Sequence, residues 1–349
     1  STDITPAPDL TRRIHAAISR EPARTPPRRF IVALFGLKLA AAAFGLAALL
    51  AAPAVRADEP VVMPVPPQPT VMPAPESEST ASPAMWTIEK PGGGTVTLFG
   101  SIHLLPRGLD WRTPAFEAAF AKADVVVFEM PVAEMATTEM QTFLAQSMMN
   151  PPGVTLSTLL DAEEKKVVET AASSLGASFA MLEPLRPWMV GLQLTVGLAV
   201  KQGFDPNSGV DKTVEAEAMA AGKTTAYFET AREQLELFTS MSSEEEIAFL
   251  VIGAREMIDN PDQLNEMIAA WAAGDTAAMD ALMNEGLEGM PELGKRLLDD
   301  RNARWVEKIT SAWMTDAKSY LIVVGAGHLA GEKGVPALLR ARGIEVKGP

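Results

Sequence analysis

Apolar and polar positions along the chain change their period several times, and each change marks an element. Four runs are short, apolar and rich in strand-forming residues: 95–99 (TVTLF), 124–129 (DVVVFE), 224–229 (TTAYFE) and 320–324 (YLIVV). The first alternates and the others are continuous; continuous runs of this length read as strands buried on both faces by covering helices. A fifth run, 344–347 (IEVK), reads as a last strand after a helix over 336–342 that Gly343 stops. Between the strands the period becomes helical. Residues 113–123 open with Thr113 as cap and a proline in the first turn. Residues 161–176 run from an Asp start to a Gly stop, 214–223 form an Ala-rich helix ending at Gly222, and 242–315 are almost wholly helical. The pattern predicts an α/β fold. A mixed or largely parallel central sheet is covered by helices, with a long helical insertion before the strand that enters Gly325-x-x-His328.

The first 84 residues do not share these patterns. Residues 1–29 are polar and Pro-rich and read as a disordered leader. Residues 30–50 are apolar apart from Lys38, follow Arg28 and Arg29, and lead to Val55-x-Ala57. That order is an export signal cleaved after Ala57; retention of residues 30–50 as a membrane tether is the alternative, since roughly 20 apolar residues span a bilayer. Residues 58–84 hold eight prolines and read as an extended tether, which leaves 85–349 as one folded domain. The expected location is therefore periplasmic or exported.

Charge and composition narrow the chemistry. Of 30 Lys+Arg and 44 Asp+Glu, 8 and 3 lie before residue 58, so the remainder is near −19. A nucleic-acid partner is excluded on that balance. With no cysteine, thiol catalysis and thiolate metal sites are excluded too.

Each of the four main strand runs ends on a side chain able to do chemistry: His103, Glu129, Glu229 and His328. In open α/β sheets, sites form beyond the carboxyl ends of the strands. Parallel strands would set all four groups along one edge, where two imidazoles and a carboxylate suit a divalent metal and a second carboxylate a general base. A lone histidine at a strand end is ordinarily a hydrogen-bonded structural residue. Two in matching Gly-x-x-His settings, in a chain of three histidines, point to a site. The preceding glycines are expected to let the backbone turn sharply off each strand. Glu229 fits a cap for the helix that follows it as well as a catalytic role. Asp211 reads as a helix N-cap, and Arg186 as an anion clamp or an ion-pair partner. A dinucleotide reading of Gly325-x-Gly327-x-x-Ala330 is rejected, because Pro336 starts the helix too late for the glycines to open it.

The phrases LFGSIHLLP, VVVFEMP, YFETAREQLELF, RNARWVEKI and LIVVGAGHLAGEKGVPALLRARGIEV, in that order, resemble the TraB/GumN family, which includes the Tiki proteases. The likeness spans residues 86–347. It implies a metal-dependent hydrolase acting on peptides or proteins, with an ion of the Mn, Co or Zn class. His103 and His328 would be metal ligands, and Glu129 a ligand or base. Glu229, Arg301 and Asn302 fall at matching positions, while Trp305 stands where Met is expected, a change anticipated to affect packing. Arg186 or Arg301 would stabilise the oxyanion. The alternative is a non-catalytic protein that captures a peptide, haem or metal in the same cleft. In that reading a Met-rich surface (Met257, Met267, Met279, Met283, Met290) supplies contacts.

Overall fold

The computed structural model describes residues 81–349, except Arg107 and Glu288. The expected leader, the 30–57 segment and all but the end of the 58–84 tether lie outside the described residues. Five strands form the main sheet: β1 (Met85–Glu89), β2 (Thr95–Ser101), β4 (Val125–Phe128), β6 (Thr224–Tyr227) and β7 (Tyr320–Gly325), in the order β1-β2-β7-β4-β6. Only β1 is antiparallel; β2, β7, β4 and β6 run parallel, as the edge-site argument requires. Two residues each from β3 (Leu105–Pro106) and β5 (Phe204–Asp205) form a separate small ribbon.

Successive side chains on a strand face opposite ways, so the central strands feed two cores. Phe99, Val126, Phe128, Leu321 and Val323 join the larger one, with Trp188, Phe238, Phe249 and Trp271. Its helices include α1 (Pro114–Lys122), α2 (Thr138–Ser147), α3 (Ala162–Ser174), α4 (Pro187–Lys201), α5 (Val210–Ala220), α6 (Ala231–Thr239), α7 (Ser243–Asp259), α8 (Gln263–Ala272) and α9 (Thr276–Leu287). Val96, Leu98, Val125, Val127, Ile322 and Val324 face the smaller core. They meet Trp305 and Val306 of α10 (Asp300–Lys308) and Val335 and Leu339 of α11 (Val335–Ala341). Each fully buried apolar side chain here contributes roughly 1.5–3 kcal/mol, which is why the runs are apolar on both faces.

Several expectations need correction. β2 is buried on both faces although its sequence alternates, because Thr95 and Thr97 are covered as well. β6 is half-exposed, being the edge strand. Residues 344–347 form no strand: they lie between Gly343 and Gly348, both at positive φ, and make only one bridge, Thr87 to Lys347. The Ala-rich helix begins earlier than expected, at Val210, with Gly209 as its cap. A side chain on Gly209 would strike the His103 carbonyl at 2.4 Å, and Val210 N–H donates to Ile102 O, so the helix start is docked on the His103 turn. β1, α2 and α4 carry no clear periodic signal.

One polar contact ties the β1–β2 hairpin to the smaller core. The Lys90 side chain is fully buried; its Nζ donates to Trp313 O (2.9 Å) and Asp316 Oδ1 (2.7 Å) and lies 4.9 Å from the Tyr320 ring centroid. Tyr320 Oη donates to Asp316 Oδ2 at 2.7 Å. The Lys90 hydrogen bond, then that of Tyr320, lowers the Asp316 carboxyl from 3.8 to about 2, while burial and Asp316 push the Tyr320 hydroxyl up to about 12. A depressed carboxylate stabilises the fold above its ordinary pKa, and that contribution is lost as pH falls from 3.8 toward 2. Asp316→Ala should destabilise at neutral pH by about 1–2 kcal/mol, the low end for a charged partner because Asp316 is partly exposed. In urea melts the gap from wild type should close between pH 4 and 2, in the window set by that shift.

Candidate functional site

Beyond the parallel strands the chain turns at one edge of the sheet. Ser101 and Gly325 are register partners at the ends of β2 and β7. His103 follows the first, and His328 follows the second at the end of a single 3₁₀ turn, Ala326–His328. Glu129 and Glu229 extend β4 and β6, and Glu229 N–H donates to Glu129 O at 2.8 Å. The strand ends thus place two carboxylates side by side, 3% and 9% exposed. Such a pair needs a cation between them.

That cation is Arg301, 3% exposed. It sits on a helix running from Pro291 to Trp313 that is widened by two π-turns, Lys295–Asp299 and Ile309–Trp313, with α10 between them. Arg301 Nε donates to Glu229 Oε1 and Oε2 (2.9 and 3.0 Å), and Nη2 to Glu129 Oε2 and Glu229 Oε2 (2.7 and 2.9 Å). Nη1 donates to Leu297 O (2.9 Å), inside the first π-turn, and to His328 Nε2 (3.0 Å). All five N–H groups of a guanidinium are therefore committed. Burial opposes the charge, but the attraction of Glu129 and Glu229 outweighs it and the Arg301 pKa is raised.

Arginine can only donate, which settles the His328 tautomer. Nε2 accepts from Arg301, so Nδ1 carries the proton and donates to Asn302 Oδ1 at 2.6 Å. Asn302 Nδ2 in turn donates to Lys333 O. His103 is held the same way: Nδ1 donates to Asp211 Oδ1 at 2.8 Å, which turns Nε2 toward Gly325. Gln234 Nε2 bridges Glu129 Oε2 and Glu229 Oε2 (2.9 and 3.2 Å), and Gly325 N–H donates to Glu129 Oε1 at 2.7 Å.

Gly325 is where these groups converge. A methyl built on it would lie 3.2 Å from Glu129 Oε1, 3.6 Å from His328 Cδ2 and 3.7 Å from His103 Nε2. Its φ is −51°, so its glycine serves close approach rather than the expected sharp turn. Gly100 acts alike: its side chain would press on Ala326 at 3.1 Å. The space opens into a cleft of about 560 Å³, solvent at its mouth included. Ile102, Leu237, Phe238, Met283, Leu297 and Ala326 give it apolar walls.

A model of the TraB/PrgY/gumN family matches residues 84–348. The chain belongs to that family. It is 23% identical over 261 residues to the uncharacterized protein YbaP of Escherichia coli strain K12, covering 72% of this chain and 90% of that one. YbaP of Shigella flexneri matches to the same extent. No solved structure matches.

Of the expected residues, the fold brings His103, His328, Glu129, Glu229 and Arg301 into one network. Glu229 backs Arg301 and does not reach the cleft wall, nor does it cap α6, where Thr230 is the cap. Arg186 is elsewhere: it pairs with Glu246 and donates to Ser147 O and Thr239 O. Burial raises the Glu246 carboxyl in spite of Arg186. Asp211 is the partner of His103 rather than a cap. Trp305 does more than pack: its Nε1 donates to Glu229 Oε1 at 3.1 Å, and its ring centroid lies 4.2 Å from that of His328. Met267, Met279, Met283 and Met290 are buried core, and only Met283 lines the cleft. Ser101 and Gln234 were not visible as site residues, since neither carries a spacing signal.

Arg301→Met removes the cation and leaves two buried carboxylates facing each other. Chemical denaturation should show a loss of about 3–5 kcal/mol, and the triple variant Arg301→Met/Glu129→Gln/Glu229→Gln should recover part of it. A loss no greater than that of an ordinary surface substitution would show that the three groups are not an interdependent cluster.

Proposed function

We propose that this chain is an exported metal-dependent hydrolase acting on peptide bonds. The observation that carries the reading is the convergence of His103 Nε2, Glu129 Oε1 and the His328 ring on the space over Gly325. Among the described residues no group of three or more His, Asp or Glu is already set as a metal shell, because His328 Nε2 accepts from Arg301. The donor chemistry nonetheless fits an ion of the Mn, Co or Zn class. Both imidazoles are fixed through Nδ1 by an oxygen acceptor, the support that metal-bound histidines use, and a carboxylate oxygen lies beside them.

In this reading His103 Nε2 and Glu129 Oε1 would hold the ion, with His328 Nε2 as a further ligand in place of its bond from Arg301 Nη1. A bound divalent ion supplies polarisation of the scissile carbonyl and lowers the pKa of a water toward 7. Where Glu129 Oε1 is not taken up as a ligand, it would instead receive the proton of the attacking water. Arg301 holds Glu129 in place through Nη2 and acts here as a positioning residue. The apolar walls favour a peptide with an apolar side chain next to the cleaved bond, and the acidic balance of the chain disfavours anionic substrates. Export rests on the 30–57 pattern. Among the described residues no helix is long and apolar enough to cross a membrane.

One observation favours the second reading, capture of a peptide, haem or metal without turnover: both carboxylates are already satisfied by Arg301, Gln234 and Gly325 N–H. Metal content and cleavage measured together separate the two. His103→Ala and His328→Ala should each lose bound Mn, Co or Zn and lower cleavage of a mixed peptide library by about 10²-fold or more. Asp211→Asn, which keeps the ring but weakens its anchor, should reduce metal affinity about 10–100-fold. Metal bound through the histidines without cleavage decides for capture, and a wild-type chain that takes up no metal sinks the hydrolase and metal capture alike.

A further inference from the structure

One polar side chain of the cleft is left out of the network. Ser101 ends β2, two residues before His103 and beside Gly325 in the parallel register. It is 1% exposed, and its Oγ is buried with no hydrogen-bond partner among the described residues. A buried hydroxyl without a partner costs stability, and native folds keep few of them. The polar side chains around it on the cleft wall have their donors committed in this structure. Arg301 uses all five N–H groups; Gln234 Nε2 serves Glu129 and Glu229; His103 and His328 donate through Nδ1 to Asp211 and Asn302. Glu129 Oε1, the atom nearest the space over Gly325, is an acceptor and cannot stabilise a negative oxygen.

A carbonyl that becomes tetrahedral develops negative charge on oxygen and needs a prearranged donor. We propose that Ser101 Oγ is that donor. It binds the carbonyl oxygen of the bound peptide and donates its proton in a hydrogen bond to the developing oxyanion, remaining uncleaved itself. The assignment rests on the hydrolase reading and gives that site a side-chain donor outside the Arg301 network. It also accounts for an orphaned hydroxyl at a position where alanine would pack as well.

The test uses the full chain loaded with Mn. Ser101→Ala should lower kcat on a mixed peptide library about 10²–10³-fold with KM and bound metal unchanged. Ser101→Thr, which keeps the hydroxyl, should recover about tenfold or more of that loss. A phosphonate analogue of a cleaved peptide, or of a library peptide if none is cleaved, should bind Ser101→Ala about tenfold or more weakly than wild type. Without ligand, Ser101→Ala should keep its Tm or gain about 1–3 °C, because an unsatisfied group has been removed. A lower Tm with kcat unchanged would make the hydroxyl a structural bond and overturn the assignment, and so would equal phosphonate affinity. A wild-type chain that cleaves nothing, yet holds the phosphonate through Ser101, would end the hydrolase reading while the oxyanion pocket stands.

Discussion

The guanidinium of Arg301 is a full positive charge at the carboxyl edge of the sheet, cut off from water, and the positions of its neighbours follow from how that charge is met. Parallel pairing of β4 and β6 brings Glu129 and Glu229 to adjacent strand ends, where their repulsion in a low dielectric would be severe. One planar fork resolves this by bonding both carboxylates at once, which a lysine ammonium would not do with the same geometry. The arrangement fixes more than two acids. Nη1 orients the imidazole of His328, the Trp305 ring lies under the guanidinium at 4.8 Å, and the carboxylates hold Gln234 and Gly325 N–H. Two carboxylates against one guanidinium leave the cluster one unit negative.

Much of the fold was legible because its central strands are buried on both faces and so are written as continuous apolar runs. DVVVFE and YLIVV became adjacent strands β4 and β7, and the reactive residue just past each run is where the site lies. Local capping was equally readable at Thr113 and Asp161, whose side chains accept from the first turns of α1 and α3. What could not be read was tertiary. The run of β2 alternates, yet Thr95 and Thr97 are buried along with its apolar residues. IEVK looked like a strand by composition, but two glycine turns leave it too short to pair. Asp211 offered a cap by type, and only the docking of α5 on the His103 turn reveals it as a ring anchor.

What sequence could not supply was the pairing of Glu129, whose partners lie far along the chain. Gln234 meets Glu129 across 105 positions, and Arg301 meets the same carboxylate across 172. No spacing rule covers such distances. The two glycines of the Gly-x-x-His phrases were recognised for the wrong reason. Their backbone freedom is unused; what matters is the missing side chain, which turns a packed strand end into a small chamber lined by two rings and a carboxylate.

The helix that delivers Arg301 has an unusual arithmetic. Its inward residues recur every four positions without a break: Leu293, Leu297, Arg301, Trp305, Ile309 and Trp313, accompanied by Gly294, Leu298, Asn302 and Val306. On a regular α-helix a repeat of four drifts about 40° per step, about 200° over these five steps, enough to carry the last residues to the opposite side. The two π-turns absorb the drift, so one stripe stays buried from end to end, with Leu293 and Leu297 in the larger core and Trp305, Ile309 and Trp313 in the smaller one. The segment therefore behaves as a reading frame. A substitution on its outer face is a local event, whereas losing or gaining a single residue between Leu293 and Arg301 would rotate the whole downstream set, exchanging the guanidinium, the amide and the indole for their neighbours. Length, more than composition, is what this stretch of chain has to preserve.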